Sequence, residues 1–304
     1  MIRRVAVTGA SGFIGRHVTD YLADRGTEAV AVRRPFQAQA LADALRGVDA
    51  VVHLAGVVSA LREHEYTAAN VDGTRAVAEA ARTAGVPLVH ISSLAAAGPA
   101  PPCAPRSEHD PPAPINAYGR SKLAGERAIA LIDGLRWTTL RPGVVYGPRD
   151  RALLPLFRVA SRGWLPLVGR MDAAYSFIHV RDLVRAIVAA ADRPAIGNTI
   201  FVAHPRPVTT REVLESVRAA TGARAAIIRV PMVMTRAAAL AGDVAGALRG
   251  VPSLINSRRY AELAAEGFVC AVDRMRADLG VVAEIGLQEG LADAYAWYRR
   301  EGWL

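Results

Sequence analysis

Lysine is almost missing from this chain. Of its 37 basic residues 36 are arginine, and Lys122 is the single lysine. Cysteine is scarce too. Cys103 and Cys270 stand apart without the paired spacing of a metal site, which fits a reducing compartment and predicts no metal. No uninterrupted apolar run reaches the roughly 18 residues of a spanning helix. The nearest approach, 225–248, is broken by Arg229, Arg236 and Asp243. The chain enters a strand-like run at once, without a charged-then-apolar leader, so a cytoplasmic protein is expected. A basic cluster is also lacking. The charge of +9 and pI near 10.2 raise the question of nucleic acid, but the arginines are scattered from Arg3 to Arg300 with little aromatic interleaving. Nucleic acid is therefore not expected as a partner, and without a spanning run neither is a membrane.

What the chain does have is a core and a strict order of elements. Half of its 304 residues are apolar, enough for one large α/β domain with an appendage. Apolar runs at 3–7, 28–32, 50–54 and 88–92 alternate with helical patterns at 15–25, 38–46 and 63–84, the last ended by Gly85 and Pro87. Such βαβ punctuation with nearly continuous apolar strands predicts a doubly wound parallel sheet covered by helices on both faces. Seven of the 18 prolines fall between Pro99 and Pro114, which reads as a loop. Beyond it the reading is a helix over 117–132, a strand at 137–141, a helix near 150–162, a strand at 175–178 and a helix over 180–191. Strands at 199–202 and 226–230 and further helices complete the chain. The expected division is a nucleotide-binding domain over 1–170, to which 176–203 returns, and a smaller interleaved substrate region over 171–304.

Gly9, Gly12 and Gly15 lie where the first strand meets the first helix. Small residues there let backbone amides approach a pyrophosphate at the helix N-terminus, and Gly15 permits close packing of helix on strand. The second strand ends on Arg33 and Arg34 rather than on a carboxylate, and Glu28 lies at its other end. Guanidinium groups there suit the 2′-phosphate of NADP, so NADP is favoured over NAD. Tyr118 and Lys122 stand four apart and share one helix face. In a chain that otherwise uses only arginine, this lysine points to a task for a compact ammonium: lowering the pKa of the neighbouring phenol for acid–base work.

In order, the chain carries Thr8-Gly9-Ala10-Ser11-Gly12-Phe13-Ile14-Gly15, Asp49-Ala50-Val51-Val52-His53-Leu54-Ala55-Gly56, Asn70-Val71-Asp72-Gly73-Thr74 and Ser92-Ser93. Tyr118-x-x-x-Lys122, Arg141-Pro142-x-x-Val145-Tyr146-Gly147-Pro148 and His179-Val180-Arg181-Asp182-Leu183 follow. Over nearly its whole length it thereby resembles the extended short-chain dehydrogenase/reductase family, the family of NAD-dependent epimerases and dehydratases. The resemblance implies a Rossmann-type fold and a catalytic set of Ser93, Tyr118 and Lys122. Ser93 would hold the substrate oxygen and Tyr118 exchange the proton, while Lys122 would hold the nicotinamide ribose and keep the phenol acidic. The nucleotide would be bound by Gly9, Ser11, Gly12, Phe13, Ile14 and Gly15, by Arg33 and Arg34, and by Leu54, Ala55 and Gly56 on the adenosine side. Tyr118, Lys122, Pro142, Val144 and Val145 would form the nicotinamide end. His179 is expected in a structural turn, His53 in the core, and Asn70 as a support. A homodimer through 63–84 and 117–132 is implied by the resemblance alone.

The chain also departs from the family. Leu94-Ala95-Ala96-Ala97 follow the serine, where sugar-nucleotide dehydratases carry an Asp-Glu pair, so dehydration is disfavoured. The segment 34–49 is short and offers no place for the usual adenine-contacting acid. Three functions are weighed for a small-molecule substrate. The first is an NADP-dependent oxidoreductase working on a ketone or secondary alcohol, with residues 231–248 as a greasy wall for its substrate. The second is a nucleotide-sugar epimerase with tightly held NAD, using Arg149, Arg151, Arg158 and Arg170 on a diphosphate. The third is a non-catalytic NADP sensor.

Overall fold

The computed structural model describes residues 2–193, 197–253 and 256–304. Its first half runs β1 (Arg4–Thr8), α1 (Phe13–Asp24), β2 (Glu28–Val32), α2 (Ala38–Ala44), β3 (Ala50–His53), α3 (Glu63–Thr67), α4 (Gly73–Ala84), β4 (Leu88–Ile91), α5 (Ala117–Ala130) and β5 (Trp137–Pro142). The second half runs β6 (Val144–Tyr146), α6 (Leu154–Ala160), β7 (Trp164–Val168), β8 (Ala174–Tyr175), β9 (Phe177–His179), α7 (Val180–Asp192), β10 (Asn198–Val202), β11 (Val208–Thr209), α8 (Thr210–Thr221) and β12 (Ala226–Val230). It ends with α9 (Met232–Arg249), α10 (Ser257–Ala264), β13 (Gly267–Phe268), α11 (Asp273–Leu279) and α12 (Leu287–Arg300).

Six parallel strands form the main sheet in the order β10-β5-β4-β3-β1-β2. Val5, Ala6 and Val7 are fully buried, as a run with no polar alternation must be when helices cover both faces. One face packs α1, α7 and α11 over Val7, Val52, Leu140 and Val202; the other packs α2 and α4 over Ala6, Val51 and Leu88. The chain steps one way from β1 to β2 and the other way from β1 to β3. The crevice at the C-terminal ends of β1 and β3 is therefore the switch point, where sheets of this kind hold ligands. The sheet ends at β2, and 33–49 holds only the short α2.

Smaller sheets, β7 with β12 and β11-β8-β13, sit with α6, α8 and α12 around a second core of Phe157, Leu165, Leu291 and Tyr298. The expected strand over 175–178 is two short ones, β8 and β9, broken at Ser176. Its carbonyl lies where a Cβ on Gly143 would be, 2.2 Å away, and it accepts a hydrogen bond from the Val144 amide. The helix expected over 63–84 is interrupted by a π-helical turn, Ala68–Asp72. Single π-turns mark places where a helix is bent to present a side chain, and here that side chain is Asn70.

Candidate active site

The turn after β1 is built for close approach. Gly9 has φ +70°, and a Cβ there would stand 2.9 Å from the Ala55 nitrogen, so the turns after β1 and β3 touch. A Cβ on Gly15 would fall 2.1 Å from the Gly9 carbonyl oxygen. Gly12 caps α1 without any side-chain hydrogen bond, and the first turn carries no acid. Its free amides at the positive end of α1 form a cradle with the charge and space for a pyrophosphate, beside exposed Ser11 and partly buried Phe13 and Ile14. Arg33 and Arg34 lie exposed beyond β2, and neither makes an ion pair among the described residues; Arg34 stacks on Phe36. These residues fit a dinucleotide.

Gly56 carries the crevice towards the reacting end. A Cβ there would meet Asn70 Oδ1 at 2.9 Å and Lys122 Nζ at 3.3 Å. Asn70, fully buried, clamps the loop after β3. Its Oδ1 accepts from the Val57 amide at 2.8 Å, and its Nδ2 donates to the Val57 carbonyl and to Ser121 Oγ, each at 2.9 Å. Thus the π-turn ties the β3 loop to α5, the helix that carries Tyr118 and Lys122. Asn116 starts α5 after the proline-rich loop, its Oδ1 accepting from the Gly119 amide at 2.8 Å.

Lys122 is 5% exposed, and its Nζ donates to the Ile91 carbonyl at 2.7 Å. Burial lowers its pKa to about 8; the Glu126 carboxylate acts the other way and Arg34 adds to the lowering. Glu126 lies one turn further along α5, in a bidentate pair with Arg141 Nε (2.9 Å) and Nη2 (2.5 Å), and accepts from the Ser92 hydroxyl. Ser92 therefore points away from the crevice. Ser93 faces the other way, its hydroxyl accepting from the Ala95 amide and hydrogen-bonding Tyr118. Leu94, Ala96 and Ala97 close the wall behind it, all buried. Pro142 is buried at the end of β5, with Val144 exposed and Val145 partly buried just beyond it.

One expectation is overturned. Lys122 was to keep the Tyr118 phenol acidic, yet the phenol's pKa is pushed up to about 12. Burial is the main cause. The Ser93 hydrogen bond opposes it, and the Glu262 and Tyr66 side chains reinforce it. The phenol thus holds its proton at neutral pH, the state a proton donor needs.

The four arginines assigned to a diphosphate are engaged elsewhere. Arg149 pairs with Asp20 at 2.7 Å, and Arg170 with Asp172 at 2.9 Å. Arg158 donates to the Trp303 carbonyl, and Arg151 lies over the Trp303 ring. Residues 231–248 do not form a greasy wall; their apolar side chains face outward. His53 is a satisfied core histidine, Nδ1 bonded to Thr8 Oγ1 at 2.7 Å and Nε2 to Thr74 Oγ1 at 3.1 Å, and burial lowers its pKa to about 3. His179 caps α7, and Asp182 holds the amides of Glu284 and Ile285.

Two groups were missed in the sequence. Glu126 was detectable, standing four residues after Lys122 on the same helix face. Glu262 was not. Its Oε1 accepts from Asn116 Nδ2 at 2.6 Å across 146 residues of chain, bringing a carboxylate from α10 to the Tyr118 side.

The profile of the NAD dependent epimerase/dehydratase family matches residues 5–203. The chain belongs to that family. Among its relatives is the ceramide reductase of Caulobacter vibrioides (strain NA1000 / CB15N), 31% identical over 99% of this chain and 96% of that protein. Another is the 4-hydroxy-2-methyl-3-oxo-4-farnesyl-3,4-dihydroquinoline-1-oxide ketoreductase of Stigmatella aurantiaca, 29% identical over 79% of this chain and 80% of that protein. Among solved structures, MoeE5 in complex with UDP-glucose and NAD superposes with a TM-score of 0.78 at 29% identity, covering 98% of this chain and 99% of that one. The UDP-glucose 4-epimerase of Mycolicibacterium smegmatis (strain ATCC 700084 / mc(2)155) is 30% identical over 72% of this chain and 83% of that protein. Reductases and an epimerase thus both occur among the relatives, and the MoeE5 neighbour holds NAD. No described helix is long and apolar enough to cross a membrane, and no described group of side chains is placed to hold a metal.

Proposed function

We propose that the protein is an NADP-dependent ketoreductase acting on a ketone carried by a long-chain, amphiphilic molecule, with Tyr118 as the proton donor. The observation that carries this reading is the convergence of Ser93, Tyr118 and the buried Lys122, anchored on the Ile91 carbonyl, on the crevice that the glycine turn opens. A bound nicotinamide dinucleotide supplies the hydride. Ser93 holds the carbonyl oxygen beside the phenol, and Tyr118 Oη gives that oxygen its proton as negative charge develops there. Lys122, anchored on the Ile91 carbonyl, orients the nucleotide ribose and offsets the negative charge left on Tyr118. Arg33 and Arg34 hold the 2′-phosphate.

The substrate class follows from the relatives. Leu94, Ala96 and Ala97 stand in place of the acid pair that dehydration needs, and all three are buried. By name the ceramide reductase acts on a lipid and the farnesyl-dihydroquinoline-oxide enzyme is a ketoreductase with an isoprenoid-bearing substrate. A nucleotide-sugar epimerase is disfavoured because Arg149, Arg151, Arg158 and Arg170 all have other partners. The test is steady-state turnover of long-chain ketones with NADPH and with NADH. A clear NADPH preference with net alcohol formation supports the reading. A preparation that retains NAD and interconverts sugar nucleotides rejects it.

A further inference from the structure

The α9 helix inverts the usual arrangement of a surface helix. Its inward positions are the small residues Thr235, Ala239 and Gly246. Its large apolar residues Val233, Met234, Leu240, Val244 and Leu248, with Val251 in the following turn, are 55% to 83% exposed. Spacings of seven, four and four from Val233 to Leu248 put them on one continuous face. Single exposed apolar residues need no explanation, but a stripe this long marks a contact surface. Arg236 and Arg249 flank it on either side, and neither is ion-paired among the described residues.

We propose that this face of α9 docks the protein on an anionic lipid membrane, lying in the interface rather than crossing it. The charge argues for this occupant. On α9 itself the exposed Arg236 and Arg249 border the stripe, and the helix's one acid, Asp243, is turned to Ser257 of α10. An apolar stripe bordered by guanidinium groups suits acyl chains beneath anionic headgroups. A second copy fits less well, because a two-fold contact would set the same arginines against one another. The expectation of no membrane partner rested on the lack of a spanning run and does not bear on surface docking.

Placement gives the face a purpose. Its neighbour α10 is fastened to the loop after β3: Arg258 donates to the carbonyls of Ala60 and Leu61 and lies over the Tyr66 ring. Tyr66 in turn packs against Tyr118, with ring centroids 6.4 Å apart. On the inward side of α9, a Cβ on Gly246 would lie 3.4 Å from Leu61. The inward face of α9 therefore lies on the side of the crevice where Tyr118 stands, with the stripe outermost, and an amphiphile would reach the phenol from the lipid surface past this helix. This last step rests on the proposed substrate class; the docking itself does not.

The test is co-sedimentation of the full chain with vesicles of phosphatidylcholine, with and without phosphatidylglycerol. The expected result is at least about tenfold stronger partitioning onto the anionic vesicles, weakened by salt. In Leu240→Glu/Leu248→Glu it falls by about tenfold or more, while melting temperature and NADPH binding stay unchanged. Three outcomes overturn the proposal: a parent protein that stays in the supernatant with anionic vesicles, a double variant that sediments like the parent, or a parent dimer that dissociates in the variant with no vesicle binding in either. Failure to reduce lipid ketones would reject the substrate reading and leave the vesicle result standing.

Discussion

Replacing Lys122 with methionine separates the catalytic role proposed for this residue from its effect on the fold. Folding lowers the ammonium's pKa from 10.5 to about 8 because burial penalises the charged form. At about 1.4 kcal/mol per pKa unit, the folded chain carries a cost of about 3 kcal/mol at neutral pH. The sign follows from proton counting. Between about pH 8 and 10.5 the unfolded chain binds the extra proton, so the cost is fully present below 8 and disappears as pH rises towards 10.5. Methionine has similar length and no charge. It removes this cost and loses the ammonium's hydrogen bond to the Ile91 carbonyl, worth about 1.5–3 kcal/mol. Lys122→Met should therefore be no less stable than the parent at pH 7 and up to about 1.5 kcal/mol more stable, with a melting temperature up to about 4 °C higher. Its turnover should fall on the order of 10²–10⁴-fold. Urea unfolding at pH 7 and pH 10 reads both signs, since the gain should shrink at the higher pH. A variant that is less stable than the parent at pH 7, or whose gain is the same at both pH values, would refute the reasoning.

Gly15→Ala forces a methyl group to within 2.1 Å of the Gly9 carbonyl oxygen, a backbone atom that cannot step aside; it should cost about 1–3 kcal/mol and weaken NADPH binding in a fluorescence titration by roughly 100-fold. Arg33→Ala/Arg34→Ala should raise the KM for NADPH about 10–100-fold and leave that for NADH within about twofold, as charge-assisted bonds to a 2′-phosphate predict. Glu126→Gln leaves Arg141 buried without its carboxylate, at a cost of about 3–5 kcal/mol by thermal or urea unfolding. Because the Glu126 charge raises the Lys122 pKa, the alkaline fall in turnover should move to lower pH in the same variant.

Much of the sheet was legible because its strands are short continuous apolar runs and its turns carry glycine. Val5 to Val7 could only be a strand buried on both faces, and Gly9, Gly12 and Gly15 could only mark a backbone brought close to something. Legibility failed where tertiary partners decide the outcome. Nothing local distinguishes Arg149, held by Asp20, from an arginine free to meet a diphosphate. The π-turn at Ala68–Asp72 is invisible in a periodic pattern that reads as one helix. The phenol's pKa was misread because spacing shows the nearby ammonium and hides the burial that outweighs it. The apolar stretch over 231–248 reads the same in sequence whether it faces a substrate, a core or solvent. Only the neighbours of Thr235, Ala239 and Gly246 show that the opposite face is the open one.

The central claim is that Tyr118 delivers the proton in a ketone reduction by NADPH. Tyr118→Phe removes one oxygen from a part-buried ring and leaves the nucleotide cradle untouched. The decisive measurement pairs NADPH affinity with turnover of a long-chain ketone in this variant. The account predicts affinity within about twofold of the parent and turnover lowered on the order of 10²–10⁴-fold. Turnover within about twofold of the parent would contradict it.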